Sequence, residues 1–112
     1  MSLTLQEPMS TIAPIANPEN TPRVKTVFDD IRATRKTDFI NNLWQRLAFD
    51  PALLEATWAE VKRIMATPSA IDPLTKEMLY ITASIINGCS YCVHSHTATA
   101  KAKGMTPEQH GE

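Results

Sequence analysis

Residues 72–104 read DPLTKEMLYITASIINGCSYCVHSHTATAKAKG. Asp72 followed by Pro73 is a helix start: an N-cap carboxylate, then a residue whose missing N–H costs nothing at the first helical position. Leu74, Met78, Ile81 and Ile85 recur at spacings of four, three and four, the period of one helix face. Leu79, Ala83 and Ile86 widen that face, so the helix over about 73–87 is expected to be largely buried. Asn87-Gly88 breaks it. A second helix is expected over about 90–103, rich in the small residues Ser95, Ala98, Ala100 and Ala102 that permit close approach, and Gly104 ends it. Cys89 and Cys92 fall at the start of this second helix.

The flanks carry the same helical signals. Asp50-Pro51 repeats the start, and Leu54, Trp58, Val61 and Met65 follow it on one face, with a stop expected before Pro68. Phe39, Leu43 and Leu47, with Ile40 and Trp44, predict a helix over about 37–48. Another begins near Pro22 and carries Val24, Val27, Phe28 and Ile31. Residues 1–22 hold Pro8, Pro14, Pro18 and Pro22, and read as an irregular arm, either a mobile tail or a strap around a neighbouring subunit. Residues 23–112 are then the helical domain. Thr106-Pro107-Glu108-Gln109 is a capping signature near the end of the sequence. It announces either a helix cut short or a last turn that docks as a stub. No strand pattern appears, and three glycines are too few for a turn-rich sheet protein. The expectation is an all-α fold of five or so helices.

Composition bounds the function. The 112 residues suffice for one domain. Aromatic residues make up 6% of the chain, so leucine, isoleucine, alanine and methionine must do most of the packing. So short a chain gains limited stability from its own core, and surplus apolar helix surface favours an oligomer. Eleven basic against twelve acidic residues leave a formal charge of −1. That argues against nucleic-acid binding and against anionic membrane surfaces. The first residues lack the basic and apolar regions of a signal peptide. The apolar-rich stretch Met78 to Ile86 is too short to span a bilayer. A cytoplasmic location is expected.

Cys89 and Cys92 are the only cysteines, which rules out a four-cysteine zinc site within one chain. Closing so small a ring barely restricts the unfolded chain, so the pair is a poor staple and reads as redox-active or metal-binding. Free amides at a helix start favour a thiolate. His96 lies four residues after Cys92, on the same helix face. It can take the Cys92 proton, which makes Cys92 the attacking sulfur and Cys89 the resolving one. Glu77 sits on an otherwise apolar helix, where burial should raise its pKa and fit it to act as a base or to orient His96. Plainer readings stand beside these. The cysteines could be ordinary core residues, and Glu77 a boundary carboxylate. Zinc could take Cys89 and Cys92 with His96 or His94. His94 otherwise reads as an exposed or interface residue, and His110 as uninvolved. No flavin, haem or nucleotide motif is present, so neither cofactor nor metal is expected.

Together, Glu77, Cys89, Cys92 and His96 resemble the AhpD signature: a glutamate, eleven residues, CxxC, three residues, then histidine. The sequence is similar to the AhpD-like alkylhydroperoxidase and carboxymuconolactone decarboxylase superfamily across about 50–110. More loosely, VFDDIRATRKTDFINNLWQRLA resembles its peroxidase-related branch. The resemblance implies an AhpD-like helical bundle, assembled as a homo-oligomeric trimer or hexamer. It implies a thiol-dependent peroxidase, an antioxidant oxidoreductase acting on hydroperoxides. In that chemistry Cys92 forms a sulfenic acid, Cys89 closes a disulfide, and Glu77 and His96 relay protons. The reductant would be an external dithiol, lipoyl-bearing or thioredoxin-like. Tyr91 stands where the AhpD pattern has a further histidine, and His94 is three residues displaced from that position. Members of the decarboxylase branch lack the cysteine pair. Relatives continue with more helices after the GMT segment, so the resemblance also implies a C-terminally shortened chain here. The alternatives are a disulfide oxidoreductase that does not use peroxide, a non-catalytic helical interaction protein, and a zinc-binding module.

Overall fold

The computed structural model describes residues 13–111. Most of the arm expected over 1–22 lies outside the described residues. Every described element is helical. A 3-10 turn at Pro18–Asn20 precedes α1 (Pro22–Arg35), α2 (Asn42–Leu47), α3 (Pro51–Met65), α4 (Pro73–Ile86), α5 (Ser90–Ala102) and α6 (Pro107–Gly111). The chain falls into two compact units, Met1–Glu60 and Val61–Glu112, divided within α3. No helix among the described residues is long and apolar enough to cross a membrane.

In the first unit, Val24, Val27, Phe28 and Ile31 form the buried stripe of α1, as their spacing predicts. Ile40, Trp44, Ala48, Leu54 and Trp58 are also buried. Trp44 and Trp58 meet edge to face, with ring centroids 5.4 Å apart. The Trp58 indole N–H donates to Asp30 Oδ2 at 2.7 Å, so a buried ring keeps its polar atom satisfied. Arg32 pairs with Glu19 and ties the 3-10 turn to α1.

The helix expected over 37–48 begins only at Asn42. Lys36 ends α1 in a left-handed conformation, φ 56°, and turns the chain away. The next residues find partners outside a helix. Arg32 Nε donates to the Asp38 carbonyl at 3.0 Å and Arg35 Nη1 to Asn41 Oδ1 at 2.7 Å. Phe39 therefore leaves the expected apolar stripe and is exposed, while Ile40 and Trp44 stay buried.

In the second unit, local capping sets the frame. Asp72 Oδ1 accepts from the Thr75 N–H at 2.9 Å, and Pro73 opens α4. After α4, the Gly88 N–H donates to the Ile85 carbonyl at 3.1 Å and the Cys89 N–H to the Ser84 carbonyl at 2.9 Å. These two bonds make a Schellman stop, and Gly88 supplies the left-handed residue it needs, φ 70°. Gly104 ends α5 in the same way, φ 102°, with Met105 folded back and buried. Thr106 and Gln109 exchange reciprocal bonds of 2.9 and 3.1 Å at the start of α6, the capping box read from sequence.

The burial of α4 differs from expectation. Its buried residues are Glu77 and Ser84. Leu79, Ile85 and Ile86 are exposed, Ile86 by 80%. A helix carries its side chains about 100° apart. Glu77 and Ser84, seven residues apart, therefore share a face, while Leu79 and Ile86 lie on the opposite one. On that inward face Glu77 bonds to His96 and Lys103 of the α5 segment, while the Ser84 hydroxyl donates to the Tyr80 carbonyl of its own helix.

Candidate active site

The site is a seam between two helices joined by a minimal turn. Cys89 is both the last residue of the α4 stop and the N-cap of α5. Its Sγ accepts the Cys92 N–H at 3.3 Å, one of the amides left free at a helix start. Cys89 and Cys92 are joined as a disulfide, their Cα atoms 5.4 Å apart. The sulfur pair therefore stands at the start of α5, where the sequence placed it.

One turn beyond Cys92, His96 Nδ1 lies 2.6 Å from Glu77 Oε2. The other carboxylate oxygen, Oε1, accepts from Lys103 Nζ at 2.9 Å. The Glu77 side chain is 4% exposed, against 21% for His96 and 35% for Lys103. Tyr80 stacks on the His96 ring, with centroids 3.6 Å apart and planes inclined by 22°. Three of these contacts join α4 to α5: Glu77 to His96, Glu77 to Lys103, and Tyr80 to His96.

Burial works to raise the pKa of Glu77. The hydrogen bonds from His96 and Lys103, with their charges, outweigh it and hold the carboxyl below the ordinary glutamate range. This corrects the expectation of a raised pKa: burial was the one influence visible in sequence, and the two donors across the seam were not. The consequence for His96 is definite. An ionised carboxylate can only accept, so Nδ1 carries the proton in this contact, and in the neutral imidazole Nε2 is the nitrogen with the lone pair.

Of the residues singled out in sequence, Glu77 and His96 are in contact, and Cys89 and Cys92 are bonded to each other. His94 is exposed on α5, as are Tyr91 on the same helix and His110 on α6. No group of three or more His, Cys, Asp or Glu side chains gathers as a metal site among the described residues. Sequence reasoning passed over Tyr80 and Lys103. Lys103 stands seven residues after His96 and Tyr80 three after Glu77. Helical phase puts Lys103 on the face of His96 and Tyr80 on the face of Glu77, but their contacts, Lys103 to Glu77 and Tyr80 to His96, cross from one helix to the other.

Comparison with known proteins gives three findings. The carboxymuconolactone decarboxylase family matches residues 51–112. A solved structure described as the alkylhydroperoxidase AhpD core from Rhodospirillum rubrum superposes with a TM-score of 0.87 at 57% identity, covering 93% of this chain and 78% of that one. The uncharacterized protein YdfG of Bacillus subtilis is 37% identical over 41 residues, which are 37% of this chain and 28% of that protein. The sequence thus spans less than a third of that curated relative, and far more of the solved one.

Proposed function

We propose that this chain, which belongs to the carboxymuconolactone decarboxylase family and to its AhpD-like branch, is a thiol-based peroxidase that reduces hydroperoxides through Cys89 and Cys92. The observation that carries this reading is the buried Glu77–His96 hydrogen bond one helical turn beyond Cys92. It prepares a basic imidazole nitrogen on the face of α5 that also carries Cys92. The solved relative's description as an alkylhydroperoxidase supports an alkyl hydroperoxide as the substrate class.

The chemistry runs in three steps. His96 Nε2 takes the Cys92 proton, and the thiolate attacks a peroxide oxygen. The O–O bond breaks, the alcohol leaves with the proton returned from His96, and Cys92 becomes a sulfenic acid. Cys89 then attacks that sulfur, closing the disulfide and releasing water. An external dithiol, lipoyl-bearing or thioredoxin-like, reduces the disulfide and restores both thiols. Exposure of Leu79, Ile85 and Ile86 on α4 supports self-association, as the trimer or hexamer of the AhpD pattern.

One observation favours a second reading. Cys89 Sγ occupies the N-cap and receives the Cys92 N–H. A helix start stabilises a thiolate, which suits a disulfide oxidoreductase in which Cys89 attacks. The separating experiment is intact-mass and thiol-labelling analysis of Cys89→Ser and Cys92→Ser after limited tert-butyl hydroperoxide. The peroxidase reading expects a trappable sulfenic acid on Cys92 in Cys89→Ser, and little reaction in Cys92→Ser. The reverse pattern would exchange the two roles. Wild-type oxidation no faster than that of a free thiol would reject peroxide reduction altogether.

A further inference from the structure

We infer that Lys103 is a positioning residue of this site: it holds the Glu77 carboxylate so that Oε2 accepts the His96 Nδ1 proton and Nε2 is left as the basic nitrogen. Its catalytic consequence rests on the peroxidase reading above, whereas its effect on the His96 proton does not.

The argument starts from the cost of a buried carboxylate. Glu77 is almost fully enclosed, and an ion removed from water needs a compensating charge. Two groups face it from α5, His96 and Lys103. His96 adds charge only while it is protonated; in the neutral form, the one able to take the Cys92 proton, it gives Glu77 a hydrogen bond and no charge. Lys76, next to Glu77 on α4, is turned away and donates to the Thr67 carbonyl at 2.9 Å. With His96 neutral, the charge facing Glu77 is that of Lys103, 2.9 Å from Oε1.

Loss of that charge has a specific chemical result. Burial would then favour the neutral carboxyl, and a carboxylic acid is a donor. Its partner at Oε2 is His96 Nδ1, which would become the acceptor. The imidazole proton would move to Nε2, and the nitrogen needed to take the Cys92 proton would be occupied. Lys103 acts on the sulfur only through two intermediaries, which makes it a positioning residue. The Schellman stop at Gly104 fixes its place, because Lys103 is the C-cap of α5.

A lysine at a helix C-terminus also complements the helix dipole. That role would affect stability and leave the imidazole proton where it is. The test therefore reads the proton. In the reduced 112-residue chain, nitrogen NMR of the imidazole rings assigns the tautomer of His96, with His96→Asn identifying its signals. Lys103→Met, Lys103→Gln and Lys103→Arg are compared with wild type. The expected result is an Nδ1–H tautomer in wild type and in Lys103→Arg, and an Nε2–H tautomer in the two uncharged variants. Oxidation of Cys92 by tert-butyl hydroperoxide should slow about 10- to 100-fold in those two and recover in Lys103→Arg, a partial loss of the roughly 100- to 10,000-fold that a general base contributes. An unchanged Nδ1–H tautomer in folded Lys103→Met and Lys103→Gln would overturn the inference, whatever the peroxide rates. A tautomer that switches while wild type reacts no faster than a free thiol would instead reject the peroxidase reading and leave the role of Lys103 standing.

Discussion

Tyr80 and Glu77 hold His96 from two sides, one by its ring face and one by its Nδ1. An aromatic pair of this kind is worth about 0.5–1.5 kcal/mol beyond its burial. If that energy holds the imidazole in its working rotamer, Tyr80→Leu should slow Cys92 oxidation by about 2- to 10-fold, while Tyr80→Phe, which keeps the ring, should react like wild type. The His96 ring protons give an independent readout. Their ring-current shift should vanish in Tyr80→Leu and persist in Tyr80→Phe, and equal shifts in both would remove the stack from the account. Glu77 yields a prediction in acid. Its folded pKa lies below the ordinary value, so its contribution to stability is complete above that ordinary value and is lost as pH falls through the depressed one. Urea titrations at stepped pH should show wild type weakening across that acidic window and Glu77→Gln changing less. At neutral pH the substitution should cost about 2 kcal/mol, the worth of hydrogen bonds to a charged group. Equal acid sensitivity in the two proteins would mean that other carboxylates govern the acid limb.

The joint between α4 and α5 is built from capping bonds, and its weak point is conformational. A Cβ added at Gly88 would meet nothing within 4 Å, so only the positive φ opposes a side chain there. Gly88→Ala should cost about 1–2 kcal/mol, seen as a lower urea midpoint with an unchanged slope. Asp72→Ala, which removes the cap of α4, should cost about 1 kcal/mol. A neutral Gly88→Ala would mean that the joint relaxes away from its Schellman geometry. Asp50, Asp72, Asn87-Gly88 and the Thr106–Gln109 box were legible in sequence because each cap is made by residues within a few positions of one another. The start of α2 was not, since it depends on Arg32 and Arg35 reaching forward from α1. The inward face of α4 was misread for a related reason. Apolar periodicity marks the face that prefers to leave water, and it does not show that Glu77 is drawn inward by His96 and Lys103 on another helix. Glu77, the cysteines and His96 stand out in sequence by their spacing, and the structure brings Glu77 to His96 and Cys89 to Cys92. Lys103 and Tyr80 could not, because a lysine ending a helix and a tyrosine in an apolar run have ordinary explanations.

At the scale of the whole molecule, the apolar side of α4 has a measurable consequence. Leu79, Ile85 and Ile86 are 54%, 61% and 80% exposed. If a second copy covers them, light scattering at micromolar protein should give a mass above that of one chain. Ile86→Lys should lower that mass while leaving the helical circular dichroism intact. A monomeric wild type would exclude the assembly. The Glu77–His96 contact also makes the α4–α5 hairpin a ruler. Each residue advances a helix by about 100° of rotation. A single insertion between Tyr80 and Ser84 would swing Glu77 a quarter turn out of phase with His96, although every residue of the signature would still be present. An insertion in the Thr67–Ile71 connection would leave that phase untouched. The eleven residues between Glu77 and Cys89 are thus a geometric constant, and a chain of this kind can change in length freely only outside them.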